Sequence, residues 1–206
     1  MALQNLEYLY DSSTLNNSHS YLLPAVEAEI RRLRPERIFD LGCGNGSIAK
    51  ALSKYCTVQG IDASDSAVRY ANSAYPELKI EQRSAYDDLA SEFGTFDAVI
   101  SLEVVEHLYD PRLYARNVFS LLKPGGFAII STPYHGYVKN LVMALGGKLD
   151  NHFTALWDGG HIKFWSMKTL AMLFSEVGFE QPRFVRVGRI PSLAKSMIAI
   201  TRRGDA

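Results

Sequence analysis

A short apolar strand followed by three closely spaced glycines is the feature that most constrains this chain. Residues 38–46 read Ile-Phe-Asp-Leu-Gly-Cys-Gly-Asn-Gly, and a helical pattern begins at Ser47. Glycine adopts backbone conformations that other residues avoid, and it lets a ligand approach the main chain closely. The helix predicted after the turn presents free N–H groups and the positive end of its dipole. We therefore predict a nucleotide-like ligand at a strand–turn–helix junction.

The spacing of the glycines separates two kinds of nucleotide ligand. The dinucleotide fingerprint needs glycine at its first, third and sixth positions, and the sixth position counted from Gly42 is Ser47. The next strand ends at Asp62, whose carboxylate suits the two hydroxyls of a ribose in NAD as well as in other nucleosides. The alternative is that Asp62 caps the following helix, although Ser64 is the better N-cap candidate. The glycine pattern thus disfavours a dinucleotide reductase.

Composition and charge narrow the class of protein. The 206 residues carry 22 basic and 22 acidic side chains, and no basic block indicates a nucleic-acid partner. The length suits one domain. The two cysteines, Cys43 and Cys56, do not resemble a disulfide framework because Cys43 lies inside the ligand turn, which indicates a reducing, cytoplasmic setting. We expect no signal peptide and no transmembrane helix.

Strands and helices alternate along the chain, which predicts a parallel sheet with helices on both faces. The predicted strands are 37–41, 58–62, 78–82, 96–102, 127–132, 184–187 and 197–201. The predicted helices are 24–33, 47–54, 65–74, 112–122 and 169–177. The last two strands are expected to form an antiparallel hairpin at the sheet edge. The predicted fold class is therefore α/β, with a seven-stranded, mostly parallel sheet.

Residues 133–165 interrupt this alternation. They follow the fifth strand, so they begin at the carboxyl edge of the sheet, where open α/β folds bind ligands. Long insertions in compact domains are often lids over a site. We predict a single domain over residues 1–206, with a substrate lid at about 133–165 and an N-terminal lid at about 1–35.

Four motifs, in order and spacing, resemble those of the class I S-adenosylmethionine (SAM)-dependent methyltransferases. They are the glycine turn at 40–46, Gly-Ile-Asp at 60–62, the strand and Glu-Val-Val-Glu-His run at 96–107, and Leu-Leu-Lys-Pro-Gly-Gly at 121–126. The Glu-Val-Val-Glu-His run is similar to that of the ubiquinone-biosynthesis O-methyltransferases and their small-molecule relatives. The resemblance implies a Rossmann-like fold, SAM as cofactor with S-adenosylhomocysteine as product, and a small-molecule acceptor.

The resemblance also implies which residues contact the cofactor. Asp40 and the glycines would lie beside the methionine end of SAM, and Asp62 beside its ribose. The family often has an acid after the third strand, where this chain has Ser84, so Ser84 and Ala85 are expected to contact the adenine through backbone or hydroxyl. The full expected set is Asp40, Gly42, Cys43, Gly44, Gly46, Asp62, Ala63, Ser84, Ala85, Leu102 and Glu103.

Side chains after the fourth and fifth strands are the candidates for acceptor chemistry. A hydroxyl acceptor must lose its proton, which suits a base or a metal that acidifies it. The catalytic candidates are Glu106, His107 and His161. In the ubiquinone-related enzymes the Glu-x-x-Glu-His run is associated with a divalent metal, so Glu103, Glu106 and His107 are also candidate ligands of Mg²⁺ or Mn²⁺. The alternative is that Glu106 and His107 only cap and orient the following turn.

More than one function remains open on these patterns. We expect SAM-dependent methyl transfer to a hydroxyl oxygen of a small molecule. The alternatives are N- or C-methylation and a SAM-binding protein without catalysis. Residues 138–145 have apolar side chains and are accompanied by Lys139 and Lys148, which predicts at most weak contact with a membrane surface. No pattern identifies the acceptor or an oligomeric state.

Overall fold

A seven-stranded mixed sheet forms the centre of the protein. The computed structural model describes residues 18–153, 155–157 and 159–205. The strands are β1 Arg37–Leu41, β2 Thr57–Asp62, β3 Glu81–Gln82, β4 Phe96–Leu102, β5 Leu122–Pro133, β6 Arg183–Val187 and β7 Ser196–Arg202. Their order is β3-β2-β1-β4-β5-β7-β6. Strands β1 to β5 are parallel, whereas β7 pairs antiparallel with β5 and with β6. The predicted fold class, including the antiparallel edge, is confirmed.

Helices cover both faces of this sheet. They are α1 His19–Leu33, α2 Ser47–Leu52, α3 Asp65–Ala74, α4 Leu89–Phe93, α5 Pro111–Ser120, α6 Tyr137–Leu145, α7 Leu149–Phe153 and α8 Met167–Glu176. Helices α1, α2 and α3 pack on one face, and α4, α5 and α8 on the other. Ile38 of β1 lies in the core beneath α1, α2 and α3, and its neighbour Phe39 lies in the core on the opposite face of the sheet. Side chains of a strand alternate between the two faces in this way. None of the helices in the described ranges has the length and apolar character needed to cross a membrane.

The structure corrects the bounds of several predicted elements, and β5 begins at Leu122 rather than at residue 127. Helix α1 begins at His19 rather than at Pro24, because Leu22 is fully buried and extends the apolar face of the helix. Strand β3 contains only two residues. The side chain of Asn72 pairs with both the N–H and the carbonyl of Ile80, at 2.9 and 2.8 Å, and Lys79 has a left-handed backbone. These contacts replace the strand ladder that was predicted from residue 78 onward.

The two predicted lids differ in how much of them the structure describes. Residues 133–165 contain α6 and α7 and follow β5 at the carboxyl edge of the sheet. The N-terminal lid falls partly on residues 1–17, which lie outside the described ranges. Its described part is α1, which packs against α2 and β6.

Candidate functional site

The glycine-rich turn joins β1 to α2 at the carboxyl edge of the sheet. The three glycines, Gly42, Gly44 and Gly46, have φ values of +80°, +54° and +76°. Residues other than glycine rarely adopt such positive values. A Cβ on Gly42 would also come within 2.5 Å of Val104 Cγ2. The N–H groups of Gly42 and Cys43 both donate to the carbonyl of Ile61 at 2.9 Å. The turn is therefore a main-chain surface held against β2.

Asp62, at the end of β2, connects this turn to the next loop. Its carboxylate accepts hydrogen bonds from the backbone N–H groups of Gly44 at 2.8 Å and Ser64 at 2.9 Å. Ala63, the residue that follows Asp62, is exposed. Ser64 caps α3 by accepting from Ala67 N, so the capping prediction is confirmed. Burial raises the pKa of Asp62, and the backbone donors oppose that rise. Each oxygen keeps a further lone pair for a ligand hydroxyl.

Asp40 is a buried carboxyl group with an unsatisfied oxygen. Only 2% of the residue is exposed, and Oδ2 has no hydrogen-bond partner among the described residues. Burial, reinforced by the charge of Asp62, raises the pKa of Asp40 to about 8. A buried polar atom without a partner is costly. This oxygen, beside the glycine turn, therefore has an acceptor position that the described residues do not fill.

The residues predicted to contact the adenine, Ser84 and Ala85, follow β3, and Leu102, another predicted cofactor contact, ends β4. Ser84 and Ala85 are half-buried in a turn in which Ser84 N donates to Asp87 Oδ2 at 2.8 Å and Tyr86 N donates to Ser84 Oγ at 3.2 Å. Leu102 is the half-buried last residue of β4. Because β1 to β4 are adjacent and parallel, their carboxyl ends lie along one edge. These residues and the glycine turn therefore lie along the same carboxyl edge of the sheet.

Glu103 follows β4 in a left-handed backbone conformation, with φ of +56°. Its carboxylate accepts the hydroxyl of Ser131 at 2.7 Å and that of Ser196 at 3.2 Å. Burial raises the pKa of Glu103 to about 7, and the two hydroxyl donors oppose the rise. Tyr21 of α1 reaches the same network, with its hydroxyl 3.4 Å from Ser196 Oγ. Both oxygens of Glu103 are therefore already used by serines of β5 and β7.

Glu106, His107 and His161 form a second group, in which one ligand atom from each residue lies within 4.8 Å of the others. Glu103, which the sequence placed with them, is not a member of this group. Glu106 is 1% exposed, and neither carboxylate oxygen has a hydrogen-bond partner among the described residues. Burial, then the charge of Glu103, raises the pKa of Glu106 well above its ordinary value. The nearby hydroxyl of Thr132 opposes this rise in the pKa of Glu106, although its position relative to the carboxylate is not that of a hydrogen bond.

His107 is oriented by the lid. Its Nδ1 lies 2.9 Å from the carbonyl of Gly159 and 3.3 Å from that of Gly160. Because a carbonyl only accepts, Nδ1 carries the proton and Nε2 of the neutral ring has the lone pair. The rings of His107 and His161 are 4.9 Å apart at 62°. Burial lowers the pKa of both, that of His161 to about 4, so both rings are neutral at physiological pH.

A cavity of about 590 Å³ opens beside His161. Its walls are His135, Asn140, Phe153, Ala155, His161, Phe164 and Ser166. The rings of His135 and Phe164 are 5.2 Å apart, and those of Phe153 and Phe164 are 5.1 Å apart. An aromatic wall with a few polar groups is typical of a small-molecule site. Nearly all of this wall comes from residues 133–165.

Several residues of the site were not found by sequence reasoning. They are His19, Tyr21, Ser131, Asn140, Ser166 and Ser196. His19 Nδ1 lies 3.0 Å from Ser47 Oγ and ties α1 to the first turn of α2. Ser196 is 93 positions from Glu103, and β7 brings the two together only by inserting beside β5. A serine or histidine carries no local signal of such pairing.

Comparison with known sequences identifies the relatives of this chain. A family model described as a methyltransferase domain matches residues 17–181. The ubiquinone biosynthesis O-methyltransferase of Thiobacillus denitrificans is 31% identical over 153 residues, which cover 72% of this chain and 66% of the relative. That of Caulobacter sp. strain K31 is 38% identical over 101 residues, which cover 47% of this chain and 40% of the relative. The chain thus spans about 40 to 66% of the length of these two curated relatives.

Solved structures share the fold. The magnesium protoporphyrin IX methyltransferase of Synechocystis, with bound S-adenosylhomocysteine, superposes with a TM-score of 0.68 at 20% identity, covering 95% of this chain and 91% of that chain. Human N-acetylserotonin methyltransferase, in complex with SAM, gives a TM-score of 0.68 at 17% identity, covering 91% and 53%. These likenesses establish a Rossmann-like α/β sheet with the same antiparallel edge.

Proposed function

The chain belongs to the family of methyltransferase domains, and from this premise we propose that it transfers the methyl group of SAM to a hydroxyl oxygen of a small molecule. The observation that carries the proposal is the joint placement of the glycine turn and of the His161-lined cavity after strands that end at one sheet edge. The names of the curated relatives, both O-methyltransferases, support oxygen as the acceptor atom.

The residues of the turn fit SAM. The buried Asp40 oxygen that lacks a partner can accept from the α-ammonium of the methionine part. The positive φ of the three glycines allows the same part to lie against the main chain. Asp62 can accept from the ribose hydroxyls with its remaining lone pairs. Bound SAM would supply a methyl group that is already activated by the sulfonium charge.

His161 is the proposed base, and residues 133–165 are the proposed substrate lid. The imidazole of His161 lines the cavity and is neutral, so it can take the hydroxyl proton as the acceptor oxygen attacks the methyl carbon. In an in-line displacement the methyl–sulfur bond would break as the oxygen–methyl bond forms, which would leave neutral S-adenosylhomocysteine and place the hydroxyl proton on His161. His107, fixed by the Gly159 carbonyl, packs against His161 and holds its ring in place.

The same three side chains also fit a divalent cation. Glu106 offers two buried oxygens without hydrogen-bond partners, and His107 and His161 offer imidazole nitrogens within 4.8 Å. One carboxylate and two imidazoles suit Zn²⁺, Mn²⁺ or Fe²⁺ better than the Mg²⁺ expected from the sequence, which prefers oxygen ligands. A cation at this place would acidify an acceptor hydroxyl. Turnover abolished by EDTA, with SAM affinity unchanged, would favour the metal, and unchanged turnover would favour His161 alone.

Titration calorimetry with SAM, S-adenosylhomocysteine and NAD⁺ tests the cofactor. We expect both sulfur nucleosides to bind and NAD⁺ to bind negligibly. Asp62→Ala should weaken SAM at least tenfold, since each hydrogen bond to a charged group is worth roughly 1.5–3 kcal/mol. NAD⁺ binding tighter than SAM would refute the assignment. Methyl transfer from labelled SAM to phenols, amines and carbon acids then separates O-, N- and C-methylation, and tight SAM binding without transfer to any of them would favour the non-catalytic alternative.

A second proposal concerns a lipid surface, because α6 exposes its apolar side chains. Five of them, Tyr137, Val138, Leu141, Val142 and Leu145, are 44 to 81% exposed. Lys148 follows directly, and residues 134–149 contain no acid. An exposed apolar helix face flanked by basic residues suits weak contact with an anionic bilayer. Flotation with phosphatidylserine-containing vesicles should recover the wild type but not Leu145→Asp, whereas a dimer dispersed by Leu145→Asp would show that a second copy covers this face.

A further inference from the structure

Helix α6 turns a lysine toward the protein and apolar side chains toward solvent. Lys139, Asn140 and Met143 are its half-buried residues, and every other residue of the helix is exposed. An ammonium group is strongly hydrated, and lysine is seldom buried unless it is paired. A lysine held on the inner side of the lid thus indicates an interaction on that side.

Lys139 has little charge compensation within the protein. Its ammonium donates to the carbonyl of Tyr134 at 2.9 Å, which uses one of its three N–H donors. The ion pairs found in the described ranges do not include Lys139. Arg189 repels this ammonium and Glu103 attracts it, and burial is the main cause that lowers the pKa of Lys139. The oxygens of Glu103 already accept two serine hydroxyls.

Two unsatisfied polar atoms accompany this ammonium. Asn140, the next residue, lines the 590 Å³ cavity, and its Oδ1, which only accepts hydrogen bonds, is buried without a partner among the described residues. Among the described residues His152 Nε2 is also buried without a partner, and the His152 ring is 5.3 Å from that of His135, another wall residue. The charge of Lys139 acts on both histidines. The cavity wall contains no acid among the described residues.

Two arginines add positive charge near this place. The guanidinium of Arg186 lies 5.9 Å from the ring of Tyr134, whose carbonyl binds Lys139, and the charge of Arg189 acts on Lys139. Residues 181–195 contain no acid, although Arg183 at the start of β6 pairs with Glu29 of α1 at 2.7 Å. The positive charge is therefore local, since the whole chain has no net charge.

We propose that Lys139, Asn140 and His152, the Lys139 corner, bind an anionic oxygen group of the acceptor, either a carboxylate or a phosphate ester. The inference rests on the proposed function and names the substrate class for the same cavity, whose wall includes Asn140 of this corner and His135, the ring neighbour of His152. Such a group would pair with the ammonium of Lys139 and accept from the Nε2–H tautomer of His152 and from the Nδ2–H of Asn140, since charge-assisted hydrogen bonds are the strong ones. The Oδ1 of Asn140 would then accept from a hydroxyl of the same acceptor. The acceptor hydroxyl would lie in the same cavity, within reach of His161.

Calorimetry with benzoate, phenyl phosphate and uncharged benzyl alcohol tests the Lys139 corner. At low salt, the wild type should bind one of the two anions at least tenfold more tightly than benzyl alcohol, and the tighter of the two tells carboxylate from phosphate. Lys139→Met keeps the aliphatic stem and removes the charge, so this preference should shrink to within about twofold. Lys168→Met, a change at an exposed lysine of α8 outside the lid, should keep the preference.

Equal affinity of the wild type for all three compounds, a failure of both anions to bind, or a preference that survives Lys139→Met would each overturn the proposal. If Lys139→Met does not fold, salt titration of the wild type replaces it, and the anion preference must then fall as NaCl rises. None of these measurements needs methyl transfer or SAM, so their failure leaves the proposed function intact. A failure of SAM to bind would instead refute the proposed function without touching the anion result.

Discussion

Single carboxyl groups at the site are buried without the partners that a folded protein normally supplies. Asp40 has one such oxygen and Glu106 has two. Each unsatisfied buried group costs roughly 1–3 kcal/mol. Local rules of stability are usually broken at functional sites and compensated elsewhere. Replacing such a group should therefore raise the stability of the ligand-free protein and impair its function.

Asp40→Asn should stabilise the ligand-free protein most at alkaline pH. The folded pKa of Asp40, about 8, lies above the ordinary value of 3.8. The favourable contribution of the protonated acid is complete below the ordinary value and is lost as pH rises through about 8. Asparagine does not titrate, so the Tm difference between variant and wild type should grow from about pH 6 to about pH 8.5. At roughly 2–4 °C per kcal/mol, the change should reach several degrees.

The same variant should bind SAM at least tenfold more weakly, because an amide cannot ionise to pair with the ammonium group of SAM as the carboxyl group of Asp40 can. Thermal denaturation at four pH values and calorimetry with SAM make the two measurements. A Tm difference that is independent of pH would show that Asp40 is not held in a protonated form, and unchanged SAM affinity would remove it from the cofactor site.

His161→Ala should lower kcat by about 10²–10⁴-fold if the imidazole is the base. The residue is half-buried, so Tm and SAM affinity should stay near those of the wild type. Because burial lowers the pKa of His161 to about 4, the wild-type rate should hold steady from about pH 8 to about pH 5 and fall only below that. A variant that melts early yet turns over normally would assign His161 to packing, and a rate loss centred near pH 6.5 would show an unburied base.

At the scale of elements, the turn between β1 and α2 depends on glycine for two separable reasons. Gly42 has a φ of +80°, and a Cβ there would approach Val104 Cγ2 to 2.5 Å. Gly147 also has a positive φ, of +63°, but nothing lies within 4 Å of its Cβ position. A side chain at Gly42 is therefore disfavoured by both the backbone conformation and the lack of space, whereas one at Gly147 is disfavoured by the backbone conformation alone.

Gly42→Ala should therefore destabilise the protein more than Gly147→Ala, which should cost about 1–2 kcal/mol for the left-handed backbone. Truncating Val104 to alanine beside Gly42→Ala should recover much of the difference, because it removes the methyl group that the new Cβ meets. Urea denaturation of the two single variants, of Val104→Ala and of the double variant measures this coupling. Additive effects would show that space at the turn is not limiting.

At the scale of the whole molecule, a cofactor bound at the sheet edge should stabilise the entire fold. The glycine turn, β2 and α2 share hydrogen bonds, and α1 joins them through His19 and Ser47. At a concentration 100 times its dissociation constant, S-adenosylhomocysteine should add about 2.7 kcal/mol. That corresponds to a rise in Tm of roughly 5–10 °C. Differential scanning fluorimetry with NAD⁺ at equal concentration is the control, and an equal rise with NAD⁺ would contradict the glycine-pattern argument.

The sequence by itself determined the α/β fold, the glycine turn, and the places of Asp40 and Asp62 at strand ends. Each of these follows from local rules, since apolar periodicity selects strand or helix, positive φ selects glycine, and the carboxyl ends of parallel strands share an edge. The cap at Ser64 was predictable for the same reason, because its partner Ala67 is three residues away.

Only the tertiary structure decided how the acceptor side is assembled. The sequence placed Glu103 with Glu106 and His107, but the fold turns its carboxylate to Ser131 and Ser196, 28 and 93 positions away, and brings His161 to the other two. The sequence also did not show that α6 turns Lys139 toward the protein. Spacing along a chain says which residues can share an edge, whereas the direction of a side chain depends on how strands insert and how the lid packs, and those contacts are long-range.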